Sequence, residues 1–370
     1  MTMKNSKINS TQLCVLLIGI FLAIRPIMEN AMQAEVVGND ALITSMIAGV
    51  INLLFTLLIC FVIQKNPGES FFDIMKRLLG SGVTKSIMVI LAGVFMIKLL
   101  IVNNQMIDLL YDAIYSDINW DLFVIPIYLT FAFLAVKGIK TLARCYQFFV
   151  PFAITILIIT IGVSIPSANI DNVLPLFDHS YSEFLKALSY IMLQSCEFIF
   201  LFTFMENVIS KEKKYFPKII TTLFIIFIIV STFYFMFVAV FGNIAPFIQE
   251  TLIKMTQFEI FSFGYFKIDL FTAIMWFPII VLECAMCVYG ISYSLKKAFN
   301  FNEKITSFTA VFLQFVTIFI PQINSKIIVP FFYDTIGVFV LTFILLLPIL
   351  LVIASFKEKK QSEVKNDKAN

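Results

Sequence analysis

Charge is what this sequence is poorest in: Asp, Glu, Lys and Arg make up only 14% of its 370 residues. A soluble domain carries charge on roughly a quarter of its residues, so this chain falls outside that class. It has one histidine, His179, and two tryptophans. It has no HExxH, GxSxG or glycine-rich phosphate loop, so the spacings behind most hydrolytic and phosphoryl-transfer chemistry are missing. His179 reads as a solvated loop residue. No enzyme activity, cofactor or metal centre is expected. The six cysteines, Cys14, Cys60, Cys145, Cys196, Cys284 and Cys287, all lie in or beside apolar runs and form no disulfide framework. Cys284 and Cys287 are one helical turn apart with no histidine near them, and read as packing residues.

What the chain does have is apolar length. Hydrophobic residues are 60% of the total, 43 of them Phe, and the mean hydropathy is +0.93. A hydrocarbon core about 30 Å thick takes about 20 helical residues per crossing. Ten runs of this kind span 11–33, 41–63, 86–110, 121–136, 146–165, 187–207, 218–242, 268–294, 305–322 and 327–355, the fourth and ninth being short. The expectation is an all-α transmembrane fold forming a single polytopic domain over 1–356, with 357–370 as a charged, disordered tail. Residues 67–80, PGESFFDIMKRLLG, read differently. Phe71, Phe72, Met75, Leu78 and Leu79 share one face opposite Asp73, Lys76 and Arg77, as in an interfacial amphipathic helix. ETLIKMTQFEIF, in the long connection 243–267, is a candidate short helix over the outer face.

Lys and Arg crowd the inner side of membrane proteins. Twenty-one of the 27 basic residues fall on one set of alternate connections, including both termini. The opposite connections hold only Lys186, Lys254, Lys267 and Lys326, and are acidic. Both termini are therefore expected in the cytoplasm. Basic residues spread over six separate segments are topology signals rather than a nucleic-acid patch.

Four ionisable residues remain deep in the apolar runs: Arg25 in the first, Lys98 in the third, Glu197 in the sixth and Glu283 in the eighth. A charge at mid-membrane costs at least about 2.5–3.5 kcal/mol, so such groups pair or line a wet cavity. Two readings stay open. The four are ion pairs that fix helix packing, or they surround a chamber for a small polar ligand. Pro26, inside the first run, frees backbone carbonyls that something must satisfy. Glu29 lies near the outer end of that run, and Gln194 and Ser195 stand beside Glu197. Two five-helix repeats in sequence have opposite orientations, and transporters built that way bind their ligand at the midplane between broken helices. The intramembrane charges fall on helices one, three, six and eight, the helices that line that site.

The sequence resembles the spore germination permeases, the B subunits of spore nutrient germinant receptors, within the amino acid–polyamine–organocation transporter superfamily. The resemblance rests on SKINSTQL, PGESFFDIMKRLLG, VKGIKTLARCYQFFVPF, DNVLPLFDHSYSEFLKA, EFIFLF and FKIDLFTAIMW, in that order along nearly the whole chain. It implies a five-plus-five inverted-repeat fold with broken helices 1 and 6. Pro26 matches the proline of the broken first helix, Glu197 the acid of the broken sixth, and Asp269 the acid that begins the eighth, at the outer mouth of the pocket. As a helix-starting acid Asp269 equally suits a capping role. The chain departs from the family in having Cys196 where glycine is common, and in Arg25. The family implies a multi-pass protein of the bacterial spore inner membrane that binds a small nutrient, often an amino acid. It would work beside an A subunit and a C subunit lipoprotein to trigger germination. The alternative is a proton- or cation-coupled secondary amino acid transporter.

Overall fold

The computed structural model describes residues 7–23, 25–28, 31–113, 120–211, 215–248, 251–263, 268–316 and 336–367. Among these, all extended regular structure is helical, apart from a single parallel bridge between Ile8 and Val208. That is the solution lipid demands, because a helix satisfies its backbone polar groups internally.

The first apolar run is described in two pieces. Helix α1 (Ser10–Ala23) starts where Asn9 and Gln12 exchange side-chain and backbone hydrogen bonds (2.8 and 3.2 Å). It is described as far as Ala23, and the described chain resumes as a single turn, α2 (Arg25–Met28), with Pro26 inside it. Pro26 has no N–H to give and crowds the preceding turn, so the ladder cannot run through. Helix α3 (Ala31–Val37) leads to α4 (Ala41–Lys65), the second crossing.

Helix α5 covers Phe71–Ala113 with a break at Gly80, whose φ of 79° and ψ of 169° an L side chain rarely adopts. The break separates the expected amphipathic helix from the third crossing. Phe71 and Met75 are fully buried while Asp73, Lys76 and Arg77 are exposed, as the sequence pattern requires. Phe71 packs on Phe202 with ring centroids 4.5 Å apart, which fastens this surface helix to the bundle. Helices α6 (Trp120–Lys137) and α7 (Ile139–Ser164) complete the first half. Gly19 lets α1 lie almost against α7, since a Cβ there would fall 2.1 Å from the Tyr146 ring.

The sixth run is split. Helix α8 (Tyr181–Gln194) opens with a full capping box between Ser180 and Glu183 and ends in mid-run. A 3₁₀ turn (Glu197–Phe200) and a short helix, α9 (Leu201–Phe204), carry the chain on. Then come α10 (Tyr215–Phe241), α11 (Thr251–Phe263), α12 (Ile268–Phe299), α13 (Glu303–Val316) and α14 (Gly337–Asp367). Helix α11 is the short helix expected in the connection 243–267, and it packs on α2, α7 and α12. Helix α14 runs through the charged tail as far as Asp367, where the sequence reading expected disorder. Lys, Glu and Gln are good helix formers, and the crossing before them supplies the costly nucleus.

Seven of the described helices are long and apolar enough to cross a membrane. Three shorter apolar helices, Ser10–Ala23, Ile125–Lys137 and Ile305–Val316, fall in the first, fourth and ninth runs. Helix α12 packs along α5, α6, α7 and α13, and α1 is enclosed by α7, α10 and α12. The Ile8–Val208 bridge, the Lys297–Glu206 pair and the approach of Lys65 to the Phe356 ring (3.5 Å) lie at one end of the bundle. The described start and the end of the last crossing therefore share that end.

Candidate functional site

Two interrupted helices leave carbonyls without intrahelical partners in a region where water is scarce, and each such group costs several kcal/mol unless it is bonded. The structure supplies the missing donors from neighbouring helices. Around Pro26, Trp276 Nε1 donates to the Ala23 carbonyl at 3.1 Å and the Tyr234 hydroxyl donates to the Arg25 carbonyl at 2.5 Å. In the break after α8, Lys98 Nζ donates to the Gln194 carbonyl at 2.8 Å, and Asn52 Nδ2 to that of Ser195. The Cys196 thiol turns back to the Met192 carbonyl at 2.5 Å. Cys196 sits at φ −83° and ψ 51°, so the family's glycine is not required here.

Across these breaks lie the charges. Arg25 and Glu197 meet as a fork, Nε to Oε1 and one terminal amino group to Oε2, both at 3.2 Å. Their side chains are only 4% and 3% exposed. Two parallel bonds fix direction as well as distance, and they tie the broken first helix to the broken sixth. Lys98 Nζ lies 3.2 Å from Glu283 Oε1. This second pair joins α5 to α12 and reaches the second break through Gln194. Pro26, Gln194 and Ser195 are buried beside the breaks.

The two pairs converge on the end of α8, yet each charge touches its partner directly rather than across a wide chamber. A cavity of about 20 Å³ lies beside Arg25, lined by Phe21, Ser45, Gly49, Phe227 and Tyr234 among others. That is room for about one water molecule. A smaller cavity of about 10 Å³ touches Lys98, Cys196 and Ile344. Glu29 lies outside the described residues, and so does the side chain of Asp269, whose backbone begins α12.

Sequence reasoning missed Asn52, Tyr234 and Trp276. Asn52 is a lone amide within a 25-residue apolar helix, and that was the available signal. Tyr234 and Trp276 look like ordinary aromatic residues until the carbonyls they serve are seen. His179 is also less free than expected. Its Nδ1 is 3.2 Å from Oδ2 of Asp40, and that buried carboxylate also accepts from the backbone N–H groups of Phe177, Asp178 and His179. The connection before α8 is thereby pinned to the start of α4.

Comparison with known proteins agrees with this architecture. One solved structure with the same fold is that of Mhp1, a nucleobase-cation-symport-1 family transporter, in a closed conformation with bromovinylhydantoin bound. It is 12% identical over 94% of this chain and 78% of that one, with a TM-score of 0.59. Another is MhsT in complex with L-phenylalanine, 11% identical over 95% of this chain and 96% of that one, with a TM-score of 0.58. At such identities the likeness shows the fold alone, the inverted-repeat transporter fold that the resemblance implied. No individually curated protein matches the sequence. The model of the spore permeases, described as spore germination proteins, matches residues 7–327, so the chain belongs to the spore germination protein family.

Proposed function

We propose that this chain is the B subunit of a spore germinant receptor, and that it binds a small nutrient, of the amino acid class, at the seam between the two broken helices. The observation that carries the reading is the buried Arg25–Glu197 fork, which links the two breaks directly. A ligand carboxylate has the shape that a guanidinium fork prefers, and it would take Arg25 by displacing Glu197. Removing that link frees the first helix from the sixth, which is a differential contact able to shift a two-state equilibrium. Lys98, Gln194, Ser195 and Glu283 frame the same seam and Pro26 maintains the break, while Glu29 and Asp269 are carried over from the sequence reading as residues of its outer mouth. The A subunit and the C subunit lipoprotein are the expected partners, in the spore inner membrane, with both termini cytoplasmic as the basic connections indicate.

The test is made in spores carrying single substitutions, with amino acids as the nutrient panel. Arg25→Ala and Glu197→Gln should each abolish the germination response while the chain still reaches the membrane at normal level. Unchanged dose responses in both would end the proposal. The fold also suits a proton- or cation-coupled amino acid carrier. Gradient-driven accumulation of labelled amino acid by the purified chain in proteoliposomes would favour that second reading over the receptor.

A further inference from the structure

The end of α8 and Glu283 form a strongly negative place with one occupant. An α-helix that stops inside the membrane presents its last carbonyls and the negative end of its dipole, and the Gln194 carbonyl points from that end toward Lys98. Glu283 brings a full carboxylate to the same ammonium and is completely buried. Its Oε1 lies 3.2 Å from the Lys98 ammonium. A fully buried carboxylate and a helix C-terminus that meet at one point need a positive charge between them, and the Lys98 ammonium supplies it. Oxygen donors of this kind, a main-chain carbonyl and a carboxylate, are those that hard cations select. In transporter folds, half-helix ends and unwound carbonyls coordinate sodium or protons.

We propose that Lys98 is a tethered cation. Its ammonium fills an oxygen-lined monovalent-cation site formed by the Gln194 carbonyl and the Glu283 carboxylate. The chain therefore needs no free sodium there, and removing the ammonium opens the place to one. Its stem gives way to a polar void, which an ion or water enters rather than leaves dry. The inference does not depend on which nutrient the chain senses, because the ion itself is the probe.

The experiment uses the full-length purified chain in detergent, with radioactive sodium as the ligand and choline chloride holding ionic strength constant. The unsubstituted protein should bind no sodium that saturates, and its thermal midpoint should be the same in sodium and choline chloride. Lys98→Ala should bind about one sodium per chain, and its midpoint should rise by about 2–4 °C as sodium replaces choline, on the scale of small-ligand stabilisation. Lys98→Ala with Glu283→Gln should bind none. Three results would overturn the proposal: saturable sodium binding by the unsubstituted chain, sodium binding that survives Glu283→Gln, or a Lys98→Ala chain as unstable in sodium as in choline. A Lys98→Ala chain that folds in neither salt counts as the third.

Discussion

The Arg25–Glu197 and Lys98–Glu283 pairs have similar burial and the same 3.2 Å approach, but they join different things. The first is a two-bond fork between the two interrupted segments, with a small cavity alongside it. The second spans two long helices, the crossing part of α5 and α12, which pack along each other extensively, and it meets the sixth helix through the Gln194 carbonyl and the Phe200 ring. A link between broken elements can open with a local movement, whereas a link between long packed helices opens only if the bundle does. Burying a pair of charges is not in itself stabilising, since desolvation offsets most of the attraction. The contrast is therefore one of role: the first pair is placed to be exchanged and the second to be kept.

That contrast predicts a graded set of effects. Lys98→Met leaves Glu283 buried without a counter-charge and gives sodium little room, so it should cost about 3–5 kcal/mol, the usual penalty for one half of a buried pair. Thermal unfolding in detergent would show this, and adding Glu283→Leu should recover most of it. If Lys98→Met cost nothing, the second pair would not be the strut described. Tyr234→Phe removes the donor to the Arg25 carbonyl and should cost about 1–3 kcal/mol, the price of an unsatisfied buried acceptor. The same loosening of the first break should shift the nutrient dose response, and a shift in stability alone would detach that break from sensing. The smallest effect belongs to Lys297→Ala. Its pair with Glu206 is 23% and 30% exposed, and partly exposed pairs contribute about 0–1 kcal/mol. A loss comparable to that of Lys98→Met would mean that exposure is a poor guide to these pairs.

The sequence made the broad architecture legible because membrane physics writes it locally. Apolar runs give the helices, and Pro26 together with the polar cluster Gln194–Ser195–Glu197 mark the two breaks. The alternating faces of 71–79 give the amphipathic segment. The intramembrane charges were found because almost nothing else in those runs is charged. Their pairing was not legible. Arg25 and Glu197 are separated by 172 residues, and no local period relates them. The same holds for Trp276, which serves a carbonyl 253 residues away. A wide hydrated chamber was one natural reading of four buried charges, but composition cannot distinguish charges that meet from charges that face water between them. The charged tail was misjudged because solubility signals say little about whether a long helix, once nucleated, continues.

The Arg25–Glu197 fork is tested most directly by replacing it whole. Arg25→Met with Glu197→Leu removes both charges together and leaves neither stranded, so the chain should reach the membrane at its usual level and keep its thermal midpoint. Spores carrying that double variant should nevertheless fail to germinate at any nutrient concentration. Germination with an unchanged dose response would contradict the account, because the link between the broken helices would then be packing alone.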